Sequence, residues 1–155
     1  MNITLENIKQ KHEEISAMIS AFESYKGNQL SYPAVNIDLE PGEHYAGLIL
    51  GKDGEVDYHL ILMQGEAADV NFSQANDWIK AQNDGANLPT RREQSLLFAN
   101  LKEQFEERAY WSCEERASNS EYAWCQDFDY GNQDYGGKGN SKLRARAVRR
   151  ILVIK

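Results

Sequence analysis

The sequence predicts an α+β domain of antiparallel sheets and two helices, preceded by an amphipathic helix with a heptad repeat. Three observations carry this reading. Short apolar runs with strand character lie towards both ends of the domain, and apolar residues recur at helical spacing between them. An Asp-Gly pair separates two of the runs and marks a hairpin. Two capping residues open the helical stretches in the middle of the chain.

Taken in order, Thr4 is the expected N-cap of a helix running to about Tyr25, with Gly27 as its stop. Along it Leu5, Ile8, His12, Ile15, Ile19 and Phe22 alternate at spacings of three and four, the seam of a coiled coil interrupted by one histidine. A stripe that narrow predicts self-association through Leu5, Ile8, Ile15, Ile19 and Phe22, the competing reading being a helix packed on its own domain. His12 reads as a polar interruption or register device. On this basis residues 1–27 form a self-association helix and 28–155 a binding domain.

The domain starts with an alternating run, Ala34 to Leu39, read as a strand, and a Pro41-Gly42 turn. The runs from His44 to Leu50 and Val56 to Met63 flank Lys52-Asp53-Gly54, giving the hairpin, one face of which must lie under the following helices. Ser73 is the expected N-cap of a helix to about Gln82 that presents Ala75, Trp78 and Ile79; Asn83-Asp84-Gly85 ends it. Thr90 and Glu93 have the spacing of a capping box for a second helix, with Leu96, Leu97, Ala99, Leu101 and Phe105 as its buried stripe. Strands are expected at Tyr110 to Cys113, Tyr122 to Phe128 and Leu143 to Ile154, joined by polar loops.

Composition bounds the function classes. A chain of 155 residues can bury a core without disulfides or metals. It holds no apolar run of membrane-spanning length, and its first residues, MNITLENIK, lack a secretory pattern, so cytoplasmic synthesis is the expected default, although a particle assembled in the cytoplasm could carry the protein outside. The net charge of −7 conceals an asymmetry: residues 142–155 hold six bases and no acid, leaving 24 acids against 11 bases elsewhere. Nucleic acid is not the expected partner of the basic stretch, because it also carries apolar residues and arginines in strands commonly brace acidic loops; nor is the acidic remainder expected to mimic DNA, because its acids form no phosphate-like row.

The chemistry-bearing residues do not converge in sequence. His12, His44 and His59 share no metal-ligand spacing, although His44 and His59 could face each other across the hairpin. Cys113 and Cys125 flank a turn near Asn119; a cross-strand disulfide is awkward, and two free thiols are expected. Asp127, Asp129, Asn132 and Asp134 fail the calcium-loop pattern, since Gly131 and Lys138 fall where ligands are needed, and they read as partners for Arg144, Arg146 or Arg149. Gly136-Gly137-Lys138-Gly139 lacks the helix that a phosphate loop requires and reads as a turn. No enzyme, cofactor or metal is therefore expected. Trp111 and Trp124 are assigned to the core.

What remains is a palette. Of the 24 residues from Ser118 to Ser141, 16 are Tyr, Ser, Asn, Asp or Gly, the composition of adaptable binding loops. Loops around Glu114 to Tyr122 and Tyr130 to Ser141 are thus the expected partner-binding face, with Glu114, Tyr122, Asp129, Tyr130, Asn132, Gln133, Asp134 and Tyr135 as candidates.

Four blocks in order, LPTRREQSLLFANL, YWS, AWCQDFDYGNQ and RARAVRR, make the stretch from about residue 66 to 150 resemble the Lcl C-terminal domain family, a domain of unknown function found in bacterial surface proteins and in phage and prophage proteins. The preceding GEHYAGLILGKDGEVDYHLILMQGE looks like the companion hairpin of the phage members. The resemblance implies a C-type-lectin-like fold, related to that of formylglycine-generating enzymes, and a binding role without a general enzymatic assignment. Neither cysteine here matches the copper site of those enzymes. The expectation is a phage- or prophage-type protein binding a protein or glycan and forming a homo-oligomer. The alternative is an intracellular inhibitor or accessory protein that engages a host protein through its acidic surface.

Overall fold

The computed structural model describes residues 4–24, 35–82 and 85–153. The chain divides into two compact units, Met1–Asn36 and Ile37–Lys155. In the first, helix α1 spans Leu5–Ser24, and the Thr4 hydroxyl accepts the Asn7 amide at 3.3 Å, as a cap should. No residue of α1 is buried; Leu5, Ile8, Ile15, Ile19 and Phe22 are 52–81% exposed. The expected stop at Gly27 lies outside the described residues.

Contrary to expectation, residues 35–40, which cross from the first unit into the second, form no strand. They pair with no neighbouring strand, and the Asp38 carbonyl accepts instead from the Arg149 side chain at 2.9 Å. The Pro41-Gly42 turn is present, with Gly42 at φ 81°. The hairpin follows as expected: β1 (His44–Ile49) pairs antiparallel with β2 (Tyr58–Leu62). Asp53 and Gly54 both take positive φ, and the Glu55 amide closes the turn on the Lys52 carbonyl at 2.9 Å. His44 sits opposite Leu62 and His59 opposite Leu48, so the two histidines do not face each other; His59 instead meets the Tyr45 hydroxyl at 3.0 Å.

A strand that the sequence did not reveal, β3 (Ala67–Val70), precedes helix α2 (Phe72–Lys80). Asn71, not Ser73, is the N-cap of α2, because it forms a reciprocal capping box with Gln74. Helix α3 (Arg91–Leu101) starts at the expected box of Thr90 and Glu93. Its buried stripe is Glu93, Gln94, Leu97 and Leu101; Ala99 is exposed, and Leu96, Phe98 and the following Phe105 are partly buried.

Strands β4 (Ala109–Glu115) and β5 (Tyr122–Asp127) form a second hairpin, extended by β6 (Gln133–Gly137), where the sequence predicts a loop. The expected last strand is two: β7 (Leu143–Ala145) and β8 (Val148–Leu152), in different sheets. The break falls at Arg146, whose guanidinium donates to the carbonyls of Gln104 at 2.6 Å and Met63 at 3.1 Å. The sheets are thus β1-β2-β8 and β3-β7-β4-β5-β6, antiparallel except where Tyr110 of β4 pairs parallel with Arg144 of β7.

Two cores result. Leu97 and Leu101 of α3 pack with Ala46, Ile49, Leu60 and Leu62 of the hairpin and with Tyr110 and Phe128. Helix α2 packs on the opposite face of the larger sheet, where Phe72 and Ala75 meet Trp111, Ala123, Cys125 and Ala145. Burying a side chain such as Leu97 completely contributes about 1.5–3 kcal/mol each. The larger sheet is therefore apolar on both faces, held between α2 and α3.

Candidate functional site: an aromatic and arginine ladder beside α3

Residues of β5 alternate between the two cores. Ala123 and Cys125 point towards α2, and Gln126, Trp124 and Tyr122 share the other face. Along that face cover runs out. Gln126 is 1% exposed, whereas Trp124 and Tyr122 are half-buried, because α3 begins beside Trp124. The Arg91 guanidinium, on the first residue of α3, lies 3.6 Å from the Trp124 ring centroid. The sequence predicts both Trp111 and Trp124 in the core; of the two, only Trp111 is buried.

Tyr135 of β6 is the cross-strand partner of Trp124. It meets Trp124 edge-on at 5.7 Å and Tyr122 edge-on at 5.6 Å, and the Arg116 guanidinium lies 3.9 Å from its ring centroid. The order is Arg91, Trp124, Tyr135, Arg116, with Tyr122 beside Tyr135. Stacking on a ring face is an attractive contact that holds each guanidinium flat and cuts its rotamer freedom.

The first rung is fixed further. Arg91 donates Nε to Gln133 Oε1 at 2.9 Å, and Gln133 Nε2 returns to the Arg91 carbonyl at 2.7 Å. Glu114 Oε1 accepts the Arg91 amide at 2.8 Å, placing a carboxylate at the positive end of α3. Gln133, Glu114, Tyr122 and Tyr135 are thus brought together, although all four stand on strands and not in loops.

The other candidates go elsewhere. Asp129, Tyr130 and Asn132 form the β5–β6 turn, in which Asp127 Oδ1 accepts the amides of Asp129 at 2.7 Å and Tyr130 at 3.3 Å. Lys102 holds the Asp129 carbonyl at 2.9 Å, and Gln126 Nε2 the Gly131 carbonyl at 2.7 Å. Gly131 has φ 84°, and a Cβ there would come within 2.6 Å of Phe98, so the turn requires glycine. Tyr130 stands at its tip, 81% exposed. Asp134 pairs with Cys125 in register, on the face away from the ladder.

None of these acids pairs with an arginine of the last strands, contrary to expectation. Arg144 binds Glu66, Arg149 binds Glu43 at 2.6 Å, and Arg150 binds Glu93 at 2.5 Å. Both cysteines are free; Trp111, not Cys113, sits opposite Cys125, and burial pushes the Cys125 thiol up to about 11. Among the described residues no three His, Cys, Asp or Glu gather in a metal-holding group, and no helix is long and apolar enough to cross a membrane.

Sequence reasoning missed Arg91, Trp124 and Arg116. One local signal was present: Arg91 and Arg92 open a helix, where the dipole disfavours cations, so both must be held by something else. Arg92 reaches the Leu50 carbonyl at 2.7 Å, and Arg91 reaches the ladder.

No family model matches the chain, and no curated protein matches it.

Proposed function

We propose that the chain is a non-enzymatic binding protein of the phage or prophage type, on a C-type-lectin-like scaffold. Its capture face is the ladder from Arg91 to Arg116 together with the Tyr130 turn, its ligand is a protein or glycan, and it self-associates through α1. The observation that supports this best is the pre-fixed geometry of the ladder: two guanidinium groups stacked on Trp124 and Tyr135 at the surface. Aromatic and arginine side chains already immobilised lose little entropy on binding, which is why they dominate interfaces.

The test compares capture of glycans and intact bacterial cells by the full chain with capture by Tyr130→Ala/Tyr135→Ala and Arg116→Ala. Loss of capture in these variants, with folding intact, is the expected result. Unchanged capture by the variants, or capture of a host protein that collapses with modest salt, overturns it in favour of an inhibitor acting through the acidic surface.

A further inference from the structure

We propose that a groove at the β3 edge of the larger sheet binds a small acidic sugar, with Arg108 and Lys142 holding its oxyanion and Asp69 accepting from its hydroxyl groups. This edge is opposite the β6 edge that carries the ladder, so the two sites are independent. The groove has a volume of about 250 Å³ and is lined by Ala68, Asp69, Arg108, Lys142, Leu143 and Arg144, among others. Ligand pockets usually run to ~300–1,000 Å³, so this one is limited to about a single ring.

Its origin is a bulge. Strand β3 pairs with β7 at Ala67 opposite Ala145 and Val70 opposite Leu143, and the register shifts between them. Ala68 and Asp69 are left exposed, with Asp69 at φ 55°. Among the described residues Asp53 is the other non-glycine with positive φ, in the hairpin turn. At Asp69 it is the bulge that holds the backbone in this region, and bulges re-aim side chains at sheet edges.

The charges in the groove are unevenly satisfied. Arg144 is bound to Glu66. Lys142 reaches a neutral acceptor, Gln74 Oε1 at 2.7 Å, and Arg108 a neighbouring carbonyl, that of Glu107 at 3.1 Å. Among the described residues neither cation forms an ion pair, nor does the Asp69 carboxylate beside them. Two cations and one carboxylate that line one groove without pairing match a ligand that presents an oxyanion beside hydroxyl donors. A phosphorylated sugar and a sugar carboxylate both have that chemistry.

The test is calorimetric titration of the full chain with glucose 6-phosphate, glucuronate, inorganic phosphate and glucose. Saturable binding of at least one acidic sugar, tighter than that of inorganic phosphate or glucose, is expected; the preferred sugar identifies the anion as phosphoryl or carboxylate. Arg108→Ala and Lys142→Ala should each weaken it about tenfold, the loss of one charge-assisted hydrogen bond. Asp69→Gly, which suits the positive φ, should retain phosphate binding and lose the preference for the sugar. Arg91→Ala should change nothing, which separates this site from the capture face. No saturable binding of either acidic sugar, binding indifferent to Arg108→Ala and Lys142→Ala, or sugar binding no tighter than inorganic phosphate overturns the proposal.

Discussion

Arg150 grips Glu93 through two hydrogen bonds, Nε to Oε1 at 2.5 Å and a terminal nitrogen to Oε2 at 2.8 Å, and so ties β8 to the first turn of α3. The Glu93 carboxylate is fully buried, and it also accepts the Tyr58 hydroxyl at 2.8 Å and the Thr90 amide at 2.7 Å. Removing the cation leaves that carboxylate uncompensated. Arg150→Met should therefore cost about 3–5 kcal/mol in urea unfolding. Lys80→Ala, which breaks an exposed pair with Asp77, should leave the midpoint where it is.

The same pair sets an acid limit. Burial works to raise the Glu93 carboxyl, but hydrogen bonds from Arg150 and Thr90, with the Arg150 charge, outweigh it and hold the group below its ordinary value. The Arg149 hydrogen bonds lower Glu43 likewise. A carboxyl depressed in the folded state stabilises fully above its unfolded pKa, about 4.3, and that stability is lost as pH falls through the folded value. Melting temperature should be level from neutral pH down to about 5 and decline below about 4. In Arg149→Ala the acid decline should be shallower; an unchanged slope would mean that other carboxylates set it.

The two ends of the capture face should differ in stability. Tyr130 touches solvent over most of its surface, so Tyr130→Ala should stay within about 0.5 kcal/mol of the parent. Trp124→Ala removes the platform under Arg91 and the edge contact with Tyr135, and should cost more than about 1 kcal/mol. Equal unfolding midpoints for the two variants would show that the ladder is not held together by its aromatic contacts.

Self-association has a direct measurement. The full chain should sediment as an oligomer, and a chain starting at Tyr32 as a monomer. Ile15→Asp, in the middle of the exposed apolar seam, should give the monomer without truncation. Identical masses for all three would remove α1 from the interface.

Local signals proved legible and non-local ones did not. The Asp53-Gly54 reversal and the Thr90–Glu93 box are each written in four consecutive residues, and both elements stand where they were expected. Ser73 lost to Asn71 because Gln74, three residues after Asn71, completes a reciprocal box that Ser73 cannot form with Asn76. Strand β6 carries Gly136 and Gly137, which argue for a turn; the sheet needs them small, since a Cβ on Gly136 would come within 2.9 Å of Trp111. The ladder joins Arg91 to Trp124 and Gln133 across three elements, and no window of sequence contains that contact. The palette of Tyr, Ser, Asn, Asp and Gly predicts loops, yet six of its 16 residues, Tyr122, Asp127, Asp134, Tyr135, Gly136 and Gly137, stand in strands.

The division of the last strands between two sheets has a consequence for biogenesis. Strand β7 lies between β3 and β4, and β8 supplies one edge of the smaller sheet, so a nascent chain lacking residues 143–152 can finish neither layer. Neither sheet can be completed before its own strand has left the ribosome, and a chaperone holding the unfinished hairpins would find the β2 and β4 edges bare until then.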